Sequence, residues 1–216
     1  DGDLDAFVAN DQNQGNKVWL NNGSGSFTDS GQSLGSRYSR GVELADLDGD
    51  GDLDAYVANY SSQGNKVWFN DGSGSFTDSG QSLGSYQSND VKLADFDDDG
   101  DLDAYIANYN QGNRVWLNDG SGVFTDSGQE LRESSSIDQS YGVELADVDG
   151  DGDMDAFVAN YGQANKVWLN NGSGVFTDSG QSLGSLQSTD VDLTDFDGDG
   201  DVDAYVTNHG QGNKVW

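Results

Sequence analysis

A nine-residue acidic run, Asp46-Leu47-Asp48-Gly49-Asp50-Gly51-Asp52-Leu53-Asp54, carries the clearest chemical potential in this chain. It recurs from Asp95 through Asp97, Asp99 and Asp101 to Asp103, from Asp147 through Asp149, Asp151 and Asp153 to Asp155, and from Asp195 through Asp197, Asp199 and Asp201 to Asp203; its second half stands at Asp1, Asp3 and Asp5. These turns hold 24 of the 39 acidic residues, so the charge is concentrated rather than spread. Two carboxylates about 4 Å apart repel by about 1 kcal/mol in water and about 4 kcal/mol at an effective dielectric of 20. A hard divalent cation removes that repulsion. Calcium takes six to eight oxygens, and side chains at positions one, three and five with a main-chain carbonyl at seven can wrap one ion, the aspartate at nine closing the shell. Gly51, Gly100, Gly152 and Gly200 at position six permit the sharp turn.

An EF-hand begins similarly but needs a bidentate glutamate at position twelve and flanking helices. Position twelve is Val57, Ile106, Val158 or Val206, within an apolar strand pattern, so that reading fails. Magnesium suits a crowded all-protein cage poorly. The expectation is about four full calcium sites and a fifth, partial one at the N-terminus.

The loops sit in a repeat. NKVW, once NRVW, stands at Asn16 to Trp19, Asn65 to Trp68, Asn113 to Trp116, Asn165 to Trp168 and Asn213 to Trp216, giving spacings of 49, 48, 52 and 48 residues. Such a period marks units that cannot bury an apolar face alone. The units run approximately 1–40, 41–89, 90–141, 142–189 and 190–216, the first and last partial, in one repeat domain. Within the second unit, short apolar blocks at Val42 to Asp46, Leu53 to Tyr60, Asn65 to Asn70 and Ser75 to Ser79 read as four strands bounded by turns such as Asp71-Gly72. The second strand is apolar on both faces, which predicts a sheet sandwiched between neighbours. Four antiparallel strands in about 48 residues is the arithmetic of a propeller blade, so the fold class is all-β, a propeller of about five units.

The DxDGDGxxD loop followed by a short apolar strand resembles the FG-GAP and VCBS repeats of integrin alpha-subunit propellers and many bacterial extracellular proteins. With the literal FG and GAP tripeptides missing, it is nearer the bacterial VCBS form. The resemblance covers the whole chain. It implies calcium ligands at Asp46, Asp48, Asp50, Asp54 and the Asp52 carbonyl, and at the matching positions of the other loops. It also implies an extracellular or cell-surface location and a role in binding or adhesion.

Composition bounds the partners. A formal charge of −30 and a sequence pI near 4.1 exclude nucleic acid and anionic membrane as natural partners, and no apolar run is long enough to span a bilayer. Without cysteine there are no disulfides or thiolate metal sites. One histidine and serines confined to repeated turns are a poor catalytic inventory, so no enzymatic activity is expected.

Alternate loops of an antiparallel blade emerge at the same end. The acidic loops and the uniform NNGSGS-type turns therefore share one face, and the variable loops share the other. There Tyr60, Tyr109, Tyr161, Asp11 and His209 hold equivalent positions, an arrangement suited to a protein or glycan ligand or to covering the neighbouring blade. The first unit lacks a first strand and the last lacks a fourth. These ends do not complement one another, so the expectation is a portion of a longer chain and a tendency to self-associate through unpaired edges. A fibre subunit is the alternative role, and a domain of a polysaccharide-degrading enzyme the third.

Overall fold

The computed structural model describes residues 2–132 and 138–216. Asp1 and the linker positions 133–137 lie outside them.

Turn residues and short β-prone blocks produce five antiparallel sheets among the described residues, with no helix. The first holds β1 (Ala6–Val8), β2 (Gln14–Asn21), β3 (Phe27–Asp29) and β4 (Leu34–Arg37). The second is β5 (Ser39–Ala45), β6 (Asp54–Asn59), β7 (Lys66–Asn70) and β8 (Phe76–Asp78). The third is β9 (Ser88–Ala94), β10 (Asp103–Asn108), β11 (Arg114–Asn118) and β12 (Phe124–Asp126). The fourth is β13 (Ser140–Ala146), β14 (Asp155–Asn160), β15 (Lys166–Leu169) and β16 (Thr177–Asp178), and the fifth is β17 (Ser188–Thr194), β18 (Asp203–Asn208) and β19 (Lys214–Val215). The last four sheets are meanders in chain order, and the first strands β5, β9, β13 and β17 lie side by side. This is a propeller-like repeat fold.

First strands begin at Ser39, Ser88, Ser140 and Ser188, ahead of the unit boundaries at 41, 90, 142 and 190. The extension contains a β-bulge in each case, at Arg40, Asn89, Tyr141 and Thr189, where the register shifts. A second feature absent from the sequence reading is the return of the linker after each fourth strand. Leu34, Leu83, Leu131 and Leu183 pair with Asn16, Asn65, Asn113 and Asn165, as part of β4 or as isolated bridges.

The core lies between blades rather than inside any one of them. On β6, Ala55 and Val57 pack with Val18, Leu34 and Trp68 toward the first sheet, while Tyr56 and Ala58 pack with Val91, Ile106, Trp116 and Phe124 toward the third. All six residues of β6, β10 and β14 are buried, as a strand covered on both faces must be. Edge-on ring pairs close these interfaces: Phe7–Phe76 at 5.3 Å, Tyr56–Phe124 at 5.1 Å and Tyr105–Phe176 at 5.4 Å. Three of the NKVW tryptophans, Trp68, Trp116 and Trp168, belong to them and are 6–7% exposed.

Polar clamps set the spacing of the blades. Gln32, Gln81 and Gln129 each donate Nε2 to a turn carbonyl of the next blade (Gly74, Gly122, Gly174; 2.6–2.7 Å) and accept the N–H of Phe76, Phe124 or Phe176. Within a blade, a buried asparagine closes each second hairpin. Asn108 accepts Ser88 Oγ–H at 2.9 Å, donates Nδ2 to the Gly112 carbonyl at 3.0 Å, and its N–H reaches Asn113 Oδ1. Asn108→Ala strands these buried partners, and a loss of about 1–3 kcal/mol is expected. The midpoint of urea unfolding measures it; a change below about 0.5 kcal/mol would contradict a structural role for the network.

Candidate metal centre

Each acidic loop joins the first strand of its blade to the second, so the ladder fixes both ends of a nine-residue arc. Position six needs a left-handed backbone, and Gly51, Gly100, Gly152 and Gly200 have φ of 94–99°. Position four needs one too, which the sequence reading missed. Gly49, Gly150 and Gly198 occupy it at 78–80°, and in the second full loop Asp98 takes φ 60°. Aspartate is among the few non-glycine residues that tolerate this region.

The arc turns the alternate carboxylates inward. One oxygen each from Asp46, Asp48 and Asp50 lie within 4.8 Å of one another, as do oxygens of Asp95, Asp97 and Asp99 and of Asp195, Asp197 and Asp199. In the remaining full loop the group is Asp147, Asp149 and Asp155, so position nine joins there and Asp151 stands outside. Main-chain N–H groups hold the first carboxylate: Gly49 and Gly51 donate to Asp46 at 2.8 and 3.0 Å, and Gly150 and Gly152 to Asp147 at 2.7 and 3.0 Å.

Position nine is the anchor. Asp54, Asp103 and Asp155 are fully buried. Each takes one N–H from its own loop, from Leu47, Phe96 or Val148 at 3.0–3.1 Å, and one from the end of the third strand, from Asn70, Asn118 or Asn170 at 2.8 Å. Asp203 keeps the first bond and Asp5 the second. A carboxylate has about four acceptor sites, so two remain for an ion.

At position seven the side chains point elsewhere. A Cβ added at Gly72, Gly120 or Gly172 would collide with the carboxylate of Asp52, Asp101 or Asp153, and Asp3 meets Gly23 likewise. These carboxylates lie against the turn between the third and fourth strands. Asp201 also stands outside its loop's inward group.

The electrostatics are those of crowded, partly buried carboxylates. Asp95 Oδ1 and Asp97 Oδ1 are buried without a hydrogen-bond partner, leaving lone pairs unsatisfied in an all-oxygen cage. Burial raises the Asp54, Asp103 and Asp155 carboxyls above the ordinary carboxylate range. Their two N–H donors oppose the shift, and neighbouring loop aspartates add to it. Asp103 is pushed up to about 7. Asp97 is raised by burial and by Asp99 and Asp95. The donor set these loops offer is all oxygen, the chemistry that suits a hard cation.

The opposite face carries a row of aromatic side chains. Ring centroids run Tyr60–Tyr109 at 6.1 Å, Tyr109–Tyr141 at 5.8 Å, Tyr141–Tyr161 at 5.1 Å and Tyr161–His209 at 6.3 Å. The Arg40 guanidinium caps one end, 3.7 Å over the Tyr60 ring, and donates to Asn89 Oδ1 at 2.8 Å. Arg40 and Tyr141 reach the row because the bulges lift them out of the ladder. Sequence spacing had located Tyr60, Tyr109, Tyr161 and His209 but not these two. Asp11 makes no ring contact and accepts the N–H of Gln12.

In the unfolded chain the loop aspartates titrate near their ordinary value of about 4. Between that value and the raised folded one, the metal-free folded protein holds protons that the unfolded chain releases. This stabilisation is complete below pH 4 or so and is lost as pH rises through about 7. In chelator, the melting temperature is therefore expected to fall from pH 5 to pH 8, and the Asp103 carboxyl carbon to titrate near neutrality by NMR. A midpoint below about 4.5 would contradict the burial argument.

None of the curated proteins matches the chain. Among solved structures the chain is similar to the computationally designed Ika8 protein (14% identity, TM-score 0.60, covering 100% of this chain and 56% of that one). It is also similar to the computationally designed Ika4 protein (10%, 0.52, 83% and 91%) and to BBS1N in complex with ARL6DN, soaked with lead (9%, 0.51, 77% and 51%). The chain thus spans about half the length of two of these three, and at such identities the likeness concerns the fold alone. The family model described as FG-GAP-like repeat matches residues 1–57, 46–106, 95–158 and 147–206. The last three segments each open on one acidic loop and run past the next, and together the four cover nearly all of the sequence: the chain belongs to the FG-GAP-like repeat family.

Proposed function

We propose that this chain is an extracellular or cell-surface binding module, a propeller whose acidic loops hold calcium and whose opposite face recognises a protein or glycan without catalysing a reaction. Calcium is favoured by the oxygen-only donor set, by the buried unpartnered oxygens of Asp95 and Asp97, and by the number of carboxylates per loop. The holding residues are those at positions one, three, five and nine, with the carbonyl at seven. Four full loops supply four sites, and Asp3 and Asp5 belong to a partial fifth. The ion supplies counter-charge and no reactive group; the chain's own part is to orient the carboxylates and pin two strands at each turn.

The observation that carries the binding role is the aromatic row from Arg40 to His209. Tyrosines presented on strand ends and bulges offer large, rigid, amphipathic contact area at low entropic cost. Each ring comes from a fixed hairpin end: the N–H groups of Tyr60, Tyr109, Tyr161 and His209 donate to the carbonyls of Tyr38, Gln87, Gln139 and Gln187 at 2.7–2.8 Å. The nearby linkers vary between units, as recognition surfaces built on a repeated scaffold do.

One observation favours assembly as a second reading. Phe27 is 48% exposed on the first sheet and Phe196 and Tyr205 are 51% and 37% exposed on the last, whereas the equivalent Phe124, Phe96 and Tyr105 are buried between blades. A fibre subunit would cover such faces with another copy. A domain of a polysaccharide-degrading enzyme ranks third, since a single histidine and no cysteine leave few groups for catalysis.

Chelation is expected to lower the melting temperature by well over about 5 °C, because it strips the counter-charge from every loop at once; an unchanged melt in excess chelator would oppose structural calcium. Asp50→Ala should reduce the calorimetric calcium stoichiometry by one. For the ligand face, a glycan array probed in calcium is expected to show dose-dependent binding that Tyr109→Ala or Tyr161→Ala weakens about tenfold or more. A blank array together with calcium-dependent polymerisation in the ultracentrifuge would replace recognition by assembly.

A further inference from the structure

The cation loops of successive blades are joined by an unbroken run of buried hydrogen bonds. In the second blade Asp54 Oδ2 accepts the Leu47 N–H at 3.1 Å, and the carbonyl of Leu47 accepts Nδ2 of Asn118, from the third blade, at 3.0 Å. The N–H of Asn118 donates to Asp103 Oδ1 at 2.8 Å, and Asp103 Oδ2 accepts the Phe96 N–H at 3.1 Å. The pattern then repeats. The Phe96 carbonyl accepts Asn170 Nδ2 at 3.0 Å, the Asn170 N–H donates to Asp155 Oδ1 at 2.8 Å, and Asp155 Oδ2 accepts the Val148 N–H at 3.0 Å. Asp54, Leu47, Asn118, Asp103, Phe96, Asn170 and Asp155 are all buried, so water does not compete for these bonds.

We propose that Asn118 and Asn170 are positioning residues that couple cation binding between neighbouring blades, so that the loops at 46–54, 95–103 and 147–155 fill cooperatively. The proposal rests on the loops binding calcium. An ion that fixes the position-nine carboxylate also fixes the peptide bonded to it. The shared asparagine, held at both its main-chain N–H and its side-chain amide, carries that order into the next loop. The second ion then meets a cage already arranged, and the ordering cost is met once rather than twice. Charge alone predicts the opposite sign. A divalent ion in one loop lowers the negative potential felt by its neighbours and weakens their binding. The sign of the coupling therefore separates the bonded run from simple electrostatics.

The test is a calcium titration of the whole 216-residue chain, with calorimetry counting sites and the amide resonances of Gly51, Gly152 and Gly200 reporting individual loops. Asp99→Ala deletes the middle site. Coupling of ordinary size predicts about a fivefold loss of affinity at the loops of Gly51 and Gly152. Adding Asn118→Ala, which removes no cation-holding side chain, should abolish the effect of Asp99→Ala on the Gly51 loop and preserve it on the Gly152 loop, which is reached through Asn170. Unchanged or tighter binding at the Gly51 loop in Asp99→Ala would overturn the coupling and leave calcium binding intact. Absence of calorimetric heat and of amide shifts in the wild-type chain would overturn calcium binding and the coupling together. Should Asn118→Ala fail to fold, Asp99→Ala decides alone, because unchanged or tighter binding at the Gly51 loop would refute the proposal.

Discussion

Asp54, Asp103 and Asp155 are ionisable side chains with no solvent exposure, and a buried carboxylate costs several kcal/mol unless its oxygens are partnered. Two main-chain N–H groups partner each of them, one from the loop above and one from the turn beside it. That pair of bonds ties the hairpin of the first two strands to the hairpin of the last two. The loop can hold its other carboxylates inward only because its ninth residue is anchored in this way. The same anchor leaves the cluster short of positive charge, and burial pushes Asp103 up to about 7 in the absence of an ion. Each anchoring bond uses one acceptor site, which leaves the carboxylate's remaining sites available to a cation.

The rest of the architecture follows from where apolar surface can go. A four-stranded blade with short strands encloses no interior of its own, so its second strand is buried on both faces by its neighbours. Tryptophan, tyrosine and phenylalanine fill the seams, and the Gln32, Gln81 and Gln129 amides register one blade against the next. In such an array each unit depends on the units beside it. The acidic loops inherit that dependence, because the asparagine ending a third strand belongs to two loops at once. The two faces then diverge in character: one is uniform and acidic, and the other bears an aromatic row whose members come from hairpin ends and bulges.

Much of this was legible in the sequence. The period came from NKVW, the strands from short apolar blocks between Gly, Asn and Asp turns, and the inward aspartates from their spacing of two. Other features were not. Position four of the loop was overlooked, although glycine stands there in three full copies, because Asp98 in the fourth masks the pattern. The first strands were expected to start later, since a bulge leaves no mark in a hydrophobic alternation. Asn118 and Asn170 looked like ordinary strand-end residues beside turns, yet their fixed place two residues after the tryptophan was the available signal.

What the sequence determined by itself was local and periodic: an all-β repeat, hairpin by hairpin, with carboxylates on alternate positions of a glycine-bent arc. Backbone sterics and side-chain alternation act over a few residues, so they can be read there. Only the tertiary structure decided which carboxylate oxygens meet, that Asp155 rather than Asp151 completes one cluster, that position-seven side chains turn toward a neighbouring turn, and that Arg40 and Tyr141 join the aromatic row. Those outcomes depend on contacts between distant residues, such as Leu47 and Asn118 separated by 71 positions. Blade packing brings them together, and no local propensity encodes the distance.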